Sequence, residues 1–249
     1  MRSVVVIPAR MQSSRLPDKP LALIGREPMI VHVWRRGLEA DLGPVVVASG
    51  DPRIAEAITS RGGIAVDTDP GLPSGSDRVA AALKQFDPGG SFDTVVNLQG
   101  DMPTVDPAIL RDAVDTLRNT DFDVVTLACP IHDMEELSRS SVVKVAMELI
   151  DAEAGIGRAV YFSRAPIPHG APTYFHHIGL YVYKRDALER FVMSPQGYLE
   201  CVEKLEQLRA LSIGFSIGVQ IVNTIPLGVD TEADLAEARL RLRTTSNTT

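Results

Sequence analysis

The sequence has few cysteines and no long apolar run, and these absences exclude several classes of protein. Two cysteines, Cys129 and Cys201, lie far apart with no Cys-x-x-Cys spacing. This usage is typical of reduced thiols in a cytoplasmic enzyme, not of a disulfide framework or a zinc site. No stretch approaches the roughly 20 apolar residues that a membrane span requires, and the short N-terminal apolar run does not predict a signal peptide. We therefore expect a cytoplasmic protein without membrane insertion.

Basic residues are fewer than acidic residues, and the common glycine-rich phosphate motifs are missing. The chain has 32 acidic and 25 basic residues, which gives a formal net charge of −7. This acidic balance argues against nucleic acid as the main partner. The first apolar run is not followed by G-x-G-x-x-G, and G-x-x-x-x-G-K-[ST] occurs nowhere in the chain. A phosphate site in this protein must therefore use another kind of loop.

A basic loop after the first apolar run is the strongest sign of a ligand site. The run Val4–Ile7 predicts a buried strand, and it is followed by Arg10, Ser14, Arg15 and Lys19. Arginine forks grip phosphate oxygens, and the first loop after a strand commonly carries function in α/β folds. The loop predicts a site for a phosphate-bearing ligand, with an ordinary solvated basic loop as the alternative.

The spacing of apolar residues predicts an α/β fold. Strands are expected near 3–8, 44–48, 64–66 and 94–98, and helices near 28–40, 52–61, 76–86 and 107–119. This alternation favours a Rossmann-like, mostly parallel central sheet. Later strands are expected near 142–145, 158–162, 174–183 and 218–222, with an amphipathic helix over 199–212. We interpret residues 1–249 as a single domain with halves 1–125 and 126–249, the second containing a sheet-rich insertion.

Two aspartates in loops after strands are candidate metal ligands. Asp101 follows the strand near 94–98, and Asp230 lies between the last strand and the last helix. Ligands bind at the carboxyl edge of such sheets, and Mg²⁺ combines one or two carboxylates with phosphate oxygens. The structural alternatives are a turn for Asp101 and a helix cap for Asp230. Thr231 and Asp234 predict a capping box at the start of the last helix.

Other polar residues admit both a functional and a structural interpretation. Ser74 and Arg78 lie where a small-residue loop enters a helix, and this loop could bind a nucleotide or could be a plain capped turn. His177 near Tyr181 could line a polar site or could be a structural strand residue. Glu200 and Glu203 lie on adjacent turns of the predicted helix, where a solvated face is the alternative.

The order of these segments is typical of one family. Nearly the whole chain resembles the 3-deoxy-manno-octulosonate cytidylyltransferases, through Ile-Pro-Ala-Arg, Ser-Arg-Leu-Pro-Asp-Lys-Pro, Ser-Gly-Ser-Asp-Arg, Asn-Leu-Gln-Gly-Asp, Tyr-Phe-Ser-Arg-Ala, His-Ile-Gly-Leu-Tyr, Leu-Glu-Gln-Leu-Arg and Gly-Val-Asp-Thr. The opening loop is shared with other sugar nucleotidyltransferases. The Gln-Gly-Asp segment together with Leu-Glu-Gln-Leu-Arg is more specific to this branch.

The resemblance implies a nucleotidyltransferase fold and a reaction. CTP and 3-deoxy-D-manno-octulosonate (Kdo) would give CMP-Kdo and pyrophosphate, with Mg²⁺, for lipopolysaccharide biosynthesis. The nucleotide would be held in the first half, and the sugar in the second. The family is typically dimeric, and aromatic residues, which are enriched at interfaces, concentrate in the insertion over 142–183. We therefore expect a homodimer built largely from this insertion.

The resemblance also implies roles for individual residues. The nucleotide would be bound by Arg10, Ser14, Arg15, Lys19, Ser74 and Arg78. The catalytic residues would be Arg15, Lys19, Asp101 and Asp230, and the two aspartates would hold the metal. The sugar would contact Gln99, Arg164, His177, Tyr181, Glu200 and Glu203.

Some positions depart from the family pattern. Met102 stands where an acidic residue is common, and the segment 194–198 carries extra residues before Leu199 and Glu200. These departures leave the sugar specificity open, so 8-amino-Kdo or a sialic acid is an alternative acceptor. A noncatalytic nucleotide-sensing homologue is a more distant alternative, and the presence of both aspartates and the whole basic loop argues against it.

Overall fold

The computed structural model describes residues 1–13 and 15–245. The chain divides into two compact units, of which the second is Arg111–Ile225. The first unit combines Met1–Leu110 with the segment that starts at Pro226. This last segment therefore belongs with the start of the chain, although the sequence pattern groups it with the second half. No helix in the described part is long and apolar enough to cross a membrane.

The first unit has the parallel sheet that the sequence predicts. Its elements are β1 (Ser3–Ala9), β2 (Leu23–Ile24), β3 (Glu27–Pro28), α1 (Met29–Glu39), β4 (Val45–Ser49), α2 (Pro52–Thr59), β5 (Ile64–Asp67), α3 (Gly75–Phe86) and β6 (Thr94–Asn97), with α9 (Glu232–Thr245) from the last segment. Helix α4 (Pro107–Arg118) begins in this unit, and its residues from Arg111 onward belong to the second. β1 pairs in parallel with β4 and β6, and β4 pairs in parallel with β5. β1 is buried along almost its whole length, as expected for a parallel strand covered on both faces.

Helix starts in this unit follow from the capping residues in the sequence. The Asp51 carboxylate accepts a hydrogen bond from the Arg53 N–H at the start of α2, and Pro52 occupies the first helical position. At the start of α9, Thr231 Oγ1 accepts from the Asp234 N–H at 3.2 Å, and the Asp234 carboxylate accepts from the Thr231 N–H at 2.8 Å. The predicted capping box is confirmed.

The second unit is a mostly antiparallel sheet with short helices. Its elements are β7 (Val124–Ile131), α5 (Met134–Ser138), β8 (Lys144–Asp151), β9 (Ile156–Ser163), β10 (Tyr174–Lys184), α6 (Arg185–Met193), α7 (Tyr198–Glu203), α8 (Gln207–Ser212) and β11 (Ile217–Ile221). β7 pairs antiparallel with β10 and parallel with β11. β9 pairs antiparallel with β11 and β8. The sequence predicts the sheet-rich character of this region but not β7 or α6.

Two predicted elements of this unit are wrong in their extent. The continuous helix over 199–212 is instead two short helices, because Lys204 adopts a left-handed backbone conformation with φ 55°. The strand expected at 142–145 begins only at Lys144. The carbonyls of Val142 and Val143 are instead bonded to the Lys144 ammonium and the His177 N–H.

Candidate active site

A cavity of about 370 Å³ opens in the first unit where β1 and β6 end and α3 begins. Its size and position suit a small-molecule site at the carboxyl edge of a parallel sheet. The predicted site residues that line it are Arg10, Arg15, Lys19, Ser74, Arg78, Gln99, Asp101 and Asp230. Ser14, predicted with them, lies outside the described residues.

Lys19 connects the two aspartates of this cavity. Its ammonium donates to Asp101 Oδ2 at 2.8 Å and to Asp230 Oδ1 at 2.9 Å. Arg15 reaches the other oxygen of Asp230 at 3.1 Å. Burial alone would lower the pKa of Lys19, but attraction to and hydrogen bonds with the two carboxylates outweigh it, so the pKa is raised above its ordinary value. Lys19 therefore stays charged.

Backbone contacts explain why these distant aspartates meet. The Val229 N–H donates to the Asp101 carbonyl at 2.9 Å, and the Leu227 N–H donates to Thr104 Oγ1 at 3.0 Å. A buried apolar cluster holds the same segments together and contains Leu16, Ile24, Met29, Val229, Leu235 and Ala238. The basic loop and the last segment are thus fixed on one wall of the cavity.

The Arg78 side chain is fixed in the lining of the cavity. This side chain is buried, and its guanidinium donates to Thr68 Oγ1 and to the carbonyls of Asp69 and Pro70. Gly50 makes room for it, because a Cβ there would lie 2.8 Å from the guanidinium. Ser74, at the end of the same loop, caps α3 by accepting from the Asp77 N–H.

Gln99 is held by a chain of buried polar groups. Its amide donates to Asn97 Oδ1 at 2.9 Å, and the amide of Asn97 donates to Ser76 Oγ at 3.4 Å. The next residue, Gly100, has no room for a side chain, because a Cβ would lie 2.7 Å from the Pro8 carbonyl oxygen. The loop that carries Gln99 and Asp101 therefore packs directly on the end of β1.

In the second unit, His177 and Tyr181 belong to a buried network. His177 Nε2 lies 2.9 Å from Thr126 Oγ1, its Nδ1 lies 3.5 Å from the Gln207 amide, and the Tyr181 hydroxyl donates to Gln207 Oε1 at 3.2 Å. Burial, with a smaller effect of the neighbouring His176, lowers the pKa of His177 to about 3. Burial also raises the pKa of Tyr181 well above its ordinary value. Both side chains are therefore neutral at pH 7.

Glu200, predicted on the sugar side, forms an ion pair with Arg209. The guanidinium donates to both carboxylate oxygens, at 2.6 and 2.8 Å, and each side chain is 5% exposed. The same carboxylate accepts from the Gly197 N–H at the start of α7. The pair holds α7 against α8.

Arg164 and Glu203 form a second cluster in this unit. The Glu203 carboxylate accepts from Ser163 Oγ at 2.6 Å and from the Arg164 N–H at 3.0 Å. The Arg164 guanidinium donates to the carbonyls of Glu203 and Lys204, where α7 ends.

Two residues of these networks, Gln207 and Arg209, are not predicted from the sequence, although both lie in the segment Leu-Glu-Gln-Leu-Arg.

The oxygen donors of the cavity suit a hard divalent cation whose coordination shell is completed by a bound ligand. Among the described residues, no group of three or more His, Cys, Asp or Glu side chains could hold a metal ion. The two carboxylates Asp101 and Asp230 already gather around one positive charge. Mg²⁺ uses one or two carboxylates and takes its other oxygens from phosphate and water. The residues present therefore suit Mg²⁺ together with a polyphosphate.

Comparisons with known proteins show the family of the chain. The family model for cytidylyltransferases matches residues 4–221. A 3-deoxy-manno-octulosonate cytidylyltransferase of Paramagnetospirillum magneticum is 54% identical over 96% of this chain and 97% of its own. The enzyme of the same name from Rhodospirillum centenum is 55% identical over 96% of this chain and 93% of its own. The chain belongs to the cytidylyltransferase family, in the 3-deoxy-manno-octulosonate branch.

Solved structures show the same fold. A CMP:2-keto-3-deoxy-manno-octonic acid synthetase complexed with CTP aligns with a TM-score of 0.89 at 35% identity, over 98% of this chain and 100% of its own. UDP-glucose pyrophosphorylase complexed with UDP-glucose aligns with a TM-score of 0.66 at 14% identity, over 98% and 100% of the two chains. The second match shows the fold alone. The predicted α/β nucleotidyltransferase fold is confirmed.

Proposed function

We propose that this protein transfers the cytidylyl group of CTP to Kdo, which gives CMP-Kdo and pyrophosphate for lipopolysaccharide biosynthesis. The observation that carries the proposal is the cavity where Lys19, Asp101 and Asp230 meet. The family of the chain supports it, since relatives of this name cover almost its whole length. We place the reaction in the cytoplasm, where the two cysteines stay reduced.

The basic residues of the cavity supply the nucleotide contacts in this proposal. Arg10, Arg15 and Lys19 present positive charge to the triphosphate, and the Arg forks can take phosphate oxygens in pairs. Ser74 and the start of α3 line the same cavity, and the N-terminus of a helix favours a phosphate or another anion. Arg78 also lines the cavity, but its guanidinium is bonded to Thr68, Asp69 and Pro70, so its main part is to hold that wall in place.

Asp101 and Asp230 would hold Mg²⁺. When bound with CTP, the ion would offset charge on the α-phosphate and make the sugar hydroxyl a better nucleophile. The contribution of the chain is to fix both carboxylates on one wall through the Val229-to-Asp101 backbone bond. Arg15 and Lys19 would stabilise the pyrophosphate as it leaves.

The reaction is an in-line displacement at the α-phosphorus. The anomeric oxygen of Kdo forms the new bond to the α-phosphorus. The bond between the α-phosphorus and the oxygen that bridges it to the β-phosphorus breaks, so that pyrophosphate leaves, and the hydroxyl proton passes to solvent. Positioning and electrostatics supply most of the catalysis, so no histidine base is required. This agrees with the pKa of about 3 of the buried His177, which makes its imidazole a weak base.

We propose sugar contacts from residues of each unit. In the first unit, Gln99 lines the cavity with its amide oriented by Asn97. In the second unit, the proposed contacts are Arg164, His177, Tyr181, Glu200 and Glu203. The Glu200 carboxylate is paired with Arg209, so it can accept hydrogen bonds from sugar hydroxyls only while it keeps that ion pair.

Pyrophosphate release tests the proposal directly. We expect rapid release with CTP and Kdo, and much slower release with 8-amino-Kdo or a sialic acid as acceptor. Rapid release with a sialic acid and none with Kdo would overturn the choice of sugar. Nucleotide binding without release for any acidic sugar would favour the noncatalytic alternative.

We also propose a two-fold dimer formed largely through residues 142–183. Leu149, Ile150 and Val160 in β8 and β9 are each at least half exposed, and exposed aliphatic side chains on a sheet suit an interface. Light scattering should give about twice the 27.0 kDa mass of one chain. A mass of one chain at micromolar concentration, with activity retained, would exclude this dimer.

A further inference from the structure

Lys19 stands where a bound cation would be expected. Its ammonium lies within 3 Å of one oxygen from each aspartate, at 2.8 Å for Asp101 and 2.9 Å for Asp230. Its side chain is 17% exposed, whereas the Arg15 side chain is 64% exposed and touches only Asp230 of this pair. Lys19 is therefore the inner counterion of both carboxylates.

We infer that Lys19 is the resident cation of this aspartate pair in the nucleotide-free protein, and that a divalent ion gains both carboxylates only when a triphosphate draws Lys19 away. The inference rests on the proposed function, because it takes Asp101 and Asp230 as the metal ligands. Two positive charges cannot share one position between the same oxygens. A divalent ion that entered while the ammonium stayed would meet the repulsion of a like charge only a few ångströms away.

The exchange needs movement of one side chain, not of the loop. The Lys19 backbone is fixed in a short helical turn, Lys19–Leu21, whose Leu21 N–H donates to the Asp18 carbonyl at 2.8 Å. Leu16 before it and Ile24 after it are buried in the apolar cluster. A lysine head is a compact charge on a flexible four-carbon stem, so it can turn toward phosphate oxygens while its backbone stays in place.

A polyphosphate supplies what Lys19 would lose. Its oxygens offer the ammonium new charged acceptors, and they also offer a divalent ion the oxygens that two carboxylates cannot provide. Nucleotide and metal should therefore strengthen each other's binding. By linkage, the factor by which CTP raises metal affinity equals the factor by which metal raises CTP affinity.

Binding of Mn²⁺, measured by electron paramagnetic resonance without any sugar acceptor, tests this inference. For the unaltered protein we expect weak Mn²⁺ binding alone, and binding at least about tenfold tighter when CTP is present. For Lys19→Met we expect Mn²⁺ alone to bind at least about tenfold tighter than to the unaltered protein, and we expect CTP to add a smaller further gain than it does for the unaltered protein. If Lys19→Met does not fold, Lys19→Gln should show the same change.

Arg10→Met is the matched control for loss of one positive charge. Arg10 lines the same cavity, but in the described part of the chain the ion pairs of Asp101 and Asp230 come from Lys19 and Arg15. Without CTP, this variant should change Mn²⁺ binding less than about threefold, which measures the general effect of charge. Equal tightening in Arg10→Met and Lys19→Met would overturn the inference.

Asp101→Asn separates failure of the inference from failure of the proposed metal site. In combination with Lys19→Met, it should abolish the tightening of Mn²⁺ alone. If Lys19→Met shows no tightening while Asp101→Asn weakens Mn²⁺ binding in the presence of CTP, the exchange is wrong and the metal site stands. If Asp101→Asn leaves Mn²⁺ binding unchanged in the presence of CTP, the metal site itself is wrong.

Discussion

Lys19 in the first unit and Arg209 in the second both bind carboxylates, but in very different surroundings. Asp101 and Asp230, the partners of Lys19, are 30% and 47% exposed. Arg209 and its partner Glu200 are each 5% exposed and share two short hydrogen bonds. The open pair can exchange its partners for a ligand, whereas the buried pair cannot lose a partner without leaving a charge unsolvated.

The same contrast extends to other polar groups of the two units. In the first unit, Arg10 and Asp230 face a cavity that a ligand can enter. In the second, His177 is buried and bonded on both ring nitrogens, to Thr126 and to Gln207. We infer that polar residues of the cavity are open to a ligand, whereas His177 and Glu200 also hold the second unit together internally.

Removal of the buried Arg209 guanidinium should have the largest effect on stability. Arg209→Met leaves the Glu200 charge buried without its partner, and we expect a loss of about 3–5 kcal/mol in the free energy of unfolding. Lys19→Met leaves carboxylates that water can reach, so the loss should stay below about 1 kcal/mol. Urea unfolding measures both. Similar losses in the two variants would break the contrast between the units.

A double variant sharpens that test. Glu200→Gln combined with Arg209→Met removes both charges, and it should recover part of the stability lost in Arg209→Met. No recovery would indicate that packing of the Arg209 guanidinium over the Phe191 ring, 4.6 Å from its centroid, dominates instead.

Asp101→Asn should have the largest effect on catalysis. We expect turnover to fall by more than about 100-fold, because a preorganised charge at the reacting phosphate is lost. The fold should be unchanged, since Asp101 is partly exposed. Pyrophosphate release and circular dichroism measure the two properties. Near-normal turnover at saturating Mg²⁺ would remove Asp101 from the catalytic residues.

Asp18→Asn is a matched control for that change. Asp18 lies in the basic loop, close to the site, with φ 52°. Asparagine tolerates this left-handed conformation, so the variant removes a nearby negative charge without backbone strain. Turnover should stay close to that of the unaltered protein.

Lys19→Ala should weaken the binding of CTP more than the binding of CMP. If Lys19 binds the β- and γ-phosphates, each lost charge-assisted bond costs about 1.5–3 kcal/mol, which corresponds to roughly 10- to 100-fold in affinity. CMP lacks those phosphates and should be little affected. Calorimetry at one fixed Mg²⁺ concentration compares the two ligands. Equal weakening would mean that Lys19 does not contact the distal phosphates.

His177 in the second unit should make the stability of the protein depend on pH. Its pKa is about 3 in the folded protein and near 6.5 in the unfolded chain, so the unfolded chain takes up the proton first as the pH falls. Stability from this group is complete above pH 6.5 and is lost toward pH 3. Between pH 7 and 5 the loss should be about 2 kcal/mol. This part of the pH dependence should vanish in His177→Gln, and the same dependence in both proteins would contradict it.

The sequence predicts the first unit well because local signals decide its elements. Apolar runs mark its parallel strands, and Asp51 and Thr231 mark helix starts that the structure confirms. The meeting of Asp101 with Asp230 depends on non-local contacts, namely the Val229 N–H on the Asp101 carbonyl and the packing of Leu16. No local pattern contains that information.

The second unit is predicted less well because tertiary contacts override helix propensity there. The run over 199–212 has a good amphipathic pattern, yet it breaks at Lys204. The break lets Glu200 meet Arg209 and lets Gln207 reach Tyr181. The carbonyls released at the break are bonded to Arg164. Hydrophobic spacing cannot report such polar pairings.

The split of the first unit along the chain has a consequence for its synthesis. The last segment brings Asp230 to the cavity and adds Val229 and Leu235 to the apolar cluster. Ribosomes make proteins from the N-terminus, so the parallel strands emerge early, while this segment emerges after the whole second unit. Until then, Lys19 and Arg15 lack their partner Asp230. A chain interrupted before Pro226 therefore carries most of the fold but an incomplete cavity, and completion of translation is what assembles the site.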